Sequence, residues 1–553
     1  MDSQRDRRHC GGCGSACAAG QVCAAGACVA SCPASTAAAC LGGCVDTQSD
    51  PLHCGGCGKA CAPGLGCREG VCCEAAFAVC GGACVDLQNS VEHCGGCGKA
   101  CPVGSRCQEG ACCKEGCAFA VVMGGRLSDH ADAVVVDAQG FVYVAGAIVS
   151  SDADIAGQRL PRSISVPTVF VLKMDAEGQG IWLRLFYGEA GTANTARGLA
   201  LGPQGGVFVT GSFTGKLTAD AVNLVGTGAA EDVYVVKLDK DGKPLWGVGF
   251  GGIGADRGYA VAVDREEHVT VVGETKSPRF GGLDLPNQRD ESRGDNDLFV
   301  AHLVNQKLVW LFAGGGLKAD YILDVKVDTK GDIYVAGGMG AGVARVGALT
   351  FSNPADTALL VKLDRNGNAV WHKRFTEGDA FGLAVREEAG GTSVCFGGWY
   401  AGNLVLDEVS LVDQGKQTAY VGCVDGQGKV LWARSLLGQG SERFDYVRSV
   451  AFDTRGRLHV AGMFTSPQLR VESTILRNRG EFDIFLARYD AKGGLLMAEN
   501  YGGSLSDYIE GIAVSPKGSS YLVGSSYSTN FEVKRRLYKN LGLLDGVLLH
   551  LGP

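Results

Sequence analysis

From about residue 117 onward the chain is a succession of short β-type runs. Ala260-Val-Ala-Val-Asp264 alternates in polarity and leads through a tight turn into His268-Val-Thr-Val-Val-Gly273. After a longer connection come Asp297-Leu-Phe-Val-Ala-His-Leu303 and Lys307-Leu-Val-Trp310-Leu-Phe312. Four- to eight-residue runs rich in β-branched and aromatic residues, bounded by Gly, Asp or Asn, predict four antiparallel strands per unit. The unit recurs with a period of about 63 residues, the mark of a repeat architecture. Trp182, Trp246, Trp310, Trp371 and Trp432 mark its fourth strand at spacings of 64, 64, 61 and 61, and Phe119 precedes the series and Met497 follows it by one such interval each. That makes seven units. A four-stranded unit cannot cover its own apolar faces, so the units are expected to pack around an axis. The expected fold is all-β: a seven-bladed β-propeller over residues 117–553, preceded by small disulfide-rich repeats over 1–116. Phe119–Gly125 (FAVVMGG) matches Trp246–Gly252 (WGVGFGG), whereas the last unit stops at a third strand, Asp545–Leu551. A strand at 117–123 is therefore expected to pair there and close the ring, leaving no open edge. The cysteine segment is expected beside this closing blade.

The elements A-V-x-V-D-x-x-G-x-V-Y-V-A-G, as in Ala133–Gly146, and D-x-Y-V-V-K-L-D-x-x-G, as in Asp232–Gly242, resemble the seven-bladed β-propeller repeat (SBBP) family of bacterial exported proteins. The resemblance spans about residues 117–553. It implies a secreted or surface location and no common catalytic activity.

Composition adds a second unit. Of 25 cysteines, 23 fall between Cys10 and Cys117. Cys40, Cys44, Cys54, Cys57, Cys61, Cys67 and Cys72 recur at the same spacings as Cys80, Cys84, Cys94, Cys97, Cys101, Cys107 and Cys112, with Cys32 and Cys73 heading the copies 32–72 and 73–112. Eight cysteines per copy can close four disulfides, in a connectivity that sequence does not resolve, and imply an oxidising compartment. The alternative is Zn²⁺ at His53-Cys54-x-x-Cys57 and His93-Cys94-x-x-Cys97. A truncated copy, 10–31, lacks the first three cysteine positions. A longer native N-terminus carrying an export signal is therefore expected, and a lipid anchor is compatible with it. The C-G-G-x-C-V-D…C-G-x-C-G pattern resembles the cysteine repeats of the stigma-specific protein family over about residues 10–117, which implies an extracellular module without defined chemistry. Cys395 and Cys423 lie elsewhere, on neighbouring strands, as a cross-strand disulfide or as buried thiols.

Net charge is −8 without a basic footprint, which argues against nucleic acid and anionic membrane as partners. No run approaches the roughly 18 apolar residues of a membrane span. One column stands out across the repeats: Asp129, Asn194, Asp256, Asp320, Asp379, Asp445 and Asp507, each eight residues before the end of a first strand. Two readings stand: side chains that cap their own turns, or a ring at one mouth of the channel holding a ligand or a hard cation such as Ca²⁺. No other cofactor is expected. The D-x-x-G turns (Asp137/Gly140, Asp239/Gly242, Asp364/Gly367, Asp453/Gly456) read as type I turns. The acidic loop Arg289–Asp297 is a second Ca²⁺ candidate and contains Arg293-Gly294-Asp295. The nine histidines do not cluster beyond the cysteine repeats.

These patterns predict a monomeric, exported or cell-surface binding or adhesion scaffold. Its long second-to-third-strand loops would recognise an extracellular protein or glycan, without catalysis. Two alternatives stand beside it. One is a propeller enzyme, metal-dependent or quinoprotein-like, with a site at the channel mouth. The L-D-x-x-G-x-x-x-W turns at Leu238–Trp246 and Leu363–Trp371 resemble quinoprotein dehydrogenase blades, although those enzymes are eight-bladed. The other is a structural envelope component.

Overall fold

The computed structural model describes the chain apart from residues 1–2, 33–36, 41, 75, 104, 114–116, 161–163, 165, 190–192, 285–294, 354, 389, 413–416 and 441–442. Two compact units result, Met1–Cys117 and Ala118–Pro553.

In the first unit, hairpins of three- to four-residue strands are pinned by disulfides. Cys32–Cys44, Cys40–Cys57, Cys54–Cys67 and Cys61–Cys72 close one copy. Cys73–Cys84, Cys80–Cys97, Cys94–Cys107 and Cys101–Cys112 repeat the connectivity in the next. The truncated copy keeps Cys10–Cys23 and Cys17–Cys28, and Cys113 bonds Cys117. Cys13 is a free, exposed thiol. The repeats have little apolar material to bury, so stability falls to the cross-links, each worth about 3 kcal/mol for loops of this size. The Zn²⁺ alternative is corrected: Cys54, Cys57, Cys94 and Cys97 are oxidised, and His53 and His93 accept the Gly58 and Gly98 N–H through Nδ1 at 2.9 Å.

The second unit is all-β and propeller-like. Among the described residues it contains seven antiparallel sheets of four or more strands, one per sequence repeat, ordered first–second–third–fourth strand, beside small two-stranded hairpin sheets. The first strands are His130–Val136, Gly198–Leu201, Asp256–Val263, Asp320–Val327, Gly378–Glu388, Tyr446–Phe452 and Asp507–Val514. Each touches the first strand of the next sheet, and Asp507–Val514 touches His130–Val136. Phe119–Gly124 pairs antiparallel with Asp545–Leu551, so the two ends of this unit share one sheet. Second and third strands are buried almost throughout in most sheets, and wholly so in Val142–Ile148 and Asp483–Tyr489, because neighbouring sheets cover both faces. Cys395 and Cys423 are directly opposed on paired strands and form a disulfide. The many disulfides suggest an oxidising extracellular environment. Among the described residues no helix is long and apolar enough to cross a membrane.

The fourth-strand aromatics lie against the turn of the following sheet. The Trp182 indole faces Gly242, where a Cβ would sit 2.8 Å from its Cδ2, and Trp310, Trp371 and Trp432 face Gly367, Gly428 and Gly493 in the same way. Those glycines hold φ of +77° to +84°, a left-handed conformation that also favours glycine.

The connections between second and third strands differ from expectation. They are not open loops: each holds a short hairpin, as in Lys216–Ala219 with Val222–Val225 and Gln468–Val471 with Thr474–Arg477. Their apolar residues alternate inward, burying Leu217, Ala219 and Leu224 in one case and Leu469, Val471 and Leu476 in the other. Several extend the fourth strand of the sheet before them.

Candidate functional site

The carboxylate column lies near the start of each first strand, and all seven members are buried, at 0–8% exposure. Asp129 accepts the N–H of Gly125, Val149 and Ser150 at 2.8, 2.7 and 3.0 Å. Asp256 accepts Gly252 N–H (2.7 Å) and the Ser277 (2.7 Å) and Thr275 hydroxyls. Asp320 takes the Gly316 and Gly340 N–H at 2.7 and 3.0 Å. Asp507 takes the Gly503 N–H (2.7 Å) and the Ser526 and Ser528 hydroxyls. Thr465 and Ser466 N–H reach Asp445, with Arg443 beside it at 3.6 Å. Asp379 is held by Tyr321 Oη (2.8 Å) and Trp399 Nε1 (2.9 Å). Asn194 donates to the Pro167 carbonyl at 3.1 Å.

A partner column was not read from the sequence. Asp545, Asp232, Asp297 and Asp483, at the start of third strands, face Asp129, Asp256, Asp320 and Asp507 across Gly124, Gly251, Gly315 and Gly502. A Cβ on Gly251 would lie 2.0 Å from Asp232 Oδ1 and 2.8 Å from Asp256 Oδ2, so only glycine fits between the two acids. Burial, with the facing carboxylate adding to it, pushes Asp256 and Asp545 up to about 6 and Asp320 and Asp483 up to about 7.

None of the seven column residues is on the wall of the cavity between the first strands. That wall is set a few residues further on. Six first strands carry a β-bulge, and the extra residues are Asp132, Tyr259, Leu323, Phe381, Arg448 and Glu510. Arg197 follows Asn194 by the same interval that separates Asp132 from Asp129. A bulged residue leaves the strand ladder and its side chain is re-aimed. All seven line one cavity of about 580 Å³ enclosed by the first strands. The sequence carried a signal for them. This position differs from repeat to repeat, while the residue just before it is apolar or glycine in every repeat.

The lining is divided. Arg448, Glu510, Asp132 and Arg197 follow one another in sheet order and are charged, whereas Tyr259, Leu323 and Phe381 complete the circuit. Arg448 donates to Glu510 from Nη2 and Nε at 2.8 and 3.1 Å. The Arg197 guanidinium lies 5.4 Å from the centre of the Tyr259 ring, and that of Arg448 5.8 Å from Phe381. Burial, with the Glu510 carboxylate adding to it, pushes Asp132 up to about 7 against the opposing pull of Arg197 and Arg448. Residues 289–294 of the acidic loop, with Arg293 and Gly294 of its tripeptide, lie outside the described residues.

A family model described as SBBP, a beta-propeller repeat, matches residues 501–532. No curated protein matches. Among solved structures, the C-terminal WD40 domain of Sif2 is similar at 9% identity and a TM-score of 0.37, over 79% of this chain and 99% of that one. A protein of unknown function from Dyadobacter fermentans is similar at 12% identity and a TM-score of 0.36, over 63% and 94%. A glucose dehydrogenase is similar at 10% identity and a TM-score of 0.32, over 62% and 96%. Likenesses this distant bear on no chemistry of this chain.

Proposed function

We infer that the chain is an exported binding scaffold: its seven sheets are the blades of one ring, closed at the strand Phe119–Gly124, and the ligand enters the central channel. The observation that carries this reading is the bulged column. A repeat protein that keeps its framework from unit to unit but places Asp, Arg, Tyr, Leu, Phe, Arg and Glu at one inward position is varying that position for recognition. The sequence pattern sets recognition on the long connections; their hairpins are part of the packing, which favours the channel instead. The carboxylate column serves as the set of caps that joins each blade to the next, since its oxygens already accept from N–H and O–H groups. A ring with one charged arc and one aromatic and aliphatic arc suits a sugar, whose C–H face packs on Tyr259 or Phe381 while its hydroxyls meet Asp132, Arg197 and Glu510. The cysteine repeats act as a spacer or a second contact surface.

A screen of the whole oxidised protein against a glycan array, alongside Arg197→Ala, tests this. Glycans bound by the wild type and lost in the variant support the channel. Binding that is indifferent to Arg197→Ala, or confined to the cysteine repeats, contradicts it.

One observation favours a second reading, the enzyme. Asp132 is poised near neutrality in a concave site, as a general acid–base requires. Turnover of a channel ligand that is abolished in Asp132→Asn while binding persists would establish that reading.

A further inference from the structure

Away from the channel, the turn joining the first and second strands of the third sheet is Asp264-Arg-Glu266-Glu-His268. Where other first-to-second-strand turns carry Gly140, Gly331 or Gly456, this one carries Glu267, whose carboxylate accepts from Lys237 Nζ at 2.6 Å. One oxygen from Asp264, one from Glu266 and a ring nitrogen of His268 lie within 4.8 Å of one another. Asp264 Oδ1 accepts the N–H of Glu266 and of His268, both at 2.8 Å, which fixes the carboxylate. Its Oδ2 is then 2.9 Å from His268 Nδ1, and Glu266 Oε2 is 3.6 Å from the same nitrogen.

A second observation is independent of that cluster. The three residues open on a cavity of about 290 Å³ whose lining includes His302, Trp310 and Arg365. His302 is 7% exposed, and its ring centre is 5.7 Å from that of His268. Its ring stacks on Trp310, and the Thr270 hydroxyl is 3.0 Å from its Nδ1. Among the described residues no hydrogen bond reaches its Nε2. His302 therefore places a second imidazole, more than nine-tenths buried and with its Nε2 free of hydrogen bonds to described residues, on the wall of the same cavity, within reach of a group bound there. The sequence shows no histidine grouping here because His268 and His302 are far apart along the chain and meet only through the sheet.

We propose that Asp264, Glu266 and His268 hold a divalent transition-metal ion of the Zn²⁺ class, with an open coordination position facing the cavity. Two carboxylates balance the charge of the ion. An imidazole donor selects against Ca²⁺ and Mg²⁺, which take oxygen ligands. Three protein ligands and an accessible cavity are the arrangement in which Zn²⁺ keeps a fourth position for an exchangeable group. Arg365, 3.5 Å from Glu266 Oε2, stands where it would meet an anion bound at that position. This site is separate from the channel, and either reading stands without the other.

The test is calorimetric titration of Zn²⁺ into the whole oxidised protein after chelation, with Co²⁺ as an absorbing replacement. The expected result is one equivalent bound and a Co²⁺ spectrum without a thiolate charge-transfer band. Affinity should drop at least about 10-fold in His268→Gln and in Glu266→Gln, and stay unchanged in His93→Gln and Cys13→Ser. Glu266 is exposed, so its variant folds whatever the fate of the other. No binding by the wild type, or binding that survives both substitutions, overturns the proposal.

Discussion

The residue that recurs most regularly, the first-strand aspartate, has consequences that depend on what faces it. Asp483 is fully buried, its Oδ1 finds no partner, and Asp507 lies across Gly502. Both are raised above the ordinary carboxylate range, Asp483 to about 7 and Asp507 to about 6. A carboxyl whose folded pKa is raised adds stability that is fully present below its unfolded pKa. That stability is lost as pH rises through the folded value. The unfolding midpoint is therefore expected to fall as pH is raised from about 5 to about 8. Asp483→Asn, which removes the charge and keeps the shape, is expected to raise the midpoint at the upper pH and to flatten the profile. A midpoint that climbs over that range would contradict the buried-pair account. The aspartate column was legible from its constant offset to the strand end, except in the fifth repeat, where the register is one residue off: Asp379 pairs opposite Trp399 as Arg257 pairs opposite Glu274, and Gly378 stands at the place of Asp256. The facing column of Asp232, Asp297, Asp483 and Asp545 was not, because the pairing runs between sheets.

At the scale of elements, the contact between one sheet's indole and the next sheet's turn glycine is a repeated joint. Gly242→Ala puts a methyl against Trp182 and forces a positive φ, at an expected cost of about 2 kcal/mol or more. Gly205→Ala is the matched control. Its φ is also positive, at +77°, but its Cβ would meet only Lys240 Cβ at 3.9 Å. Denaturant titrations that gave the two variants equal losses would assign the effect to backbone conformation alone. The hairpins make a second prediction. Leu469 is fully buried although it lies in a connection, so Leu469→Ala should cost about 2–5 kcal/mol, far more than a substitution in a solvent loop. Strand positions, the Trp column and the turns were readable from alternation and spacing. The hairpins were not, because the connections vary from repeat to repeat and two to five alternating residues are too few to separate from a loop by pattern.

At the scale of the molecule, pairing of Phe119–Gly124 with Asp545–Leu551 was legible in the spare strand at one end of the repeats and the missing one at the other. The bulges were not legible. One extra residue leaves the apolar spacing of a seven- or eight-residue strand nearly intact, yet it decides which side chain meets the channel. The functional reading therefore rests on the bulges, which bring the one position that varies between repeats to the cavity of the first strands. The most direct measurement is the affinity of an array-selected glycan for Leu323→Trp, which fills the channel without altering its charge or touching the connections between strands. The channel account predicts loss of binding at an unchanged unfolding midpoint. Undiminished affinity at an unchanged midpoint would place recognition elsewhere on the protein and contradict it.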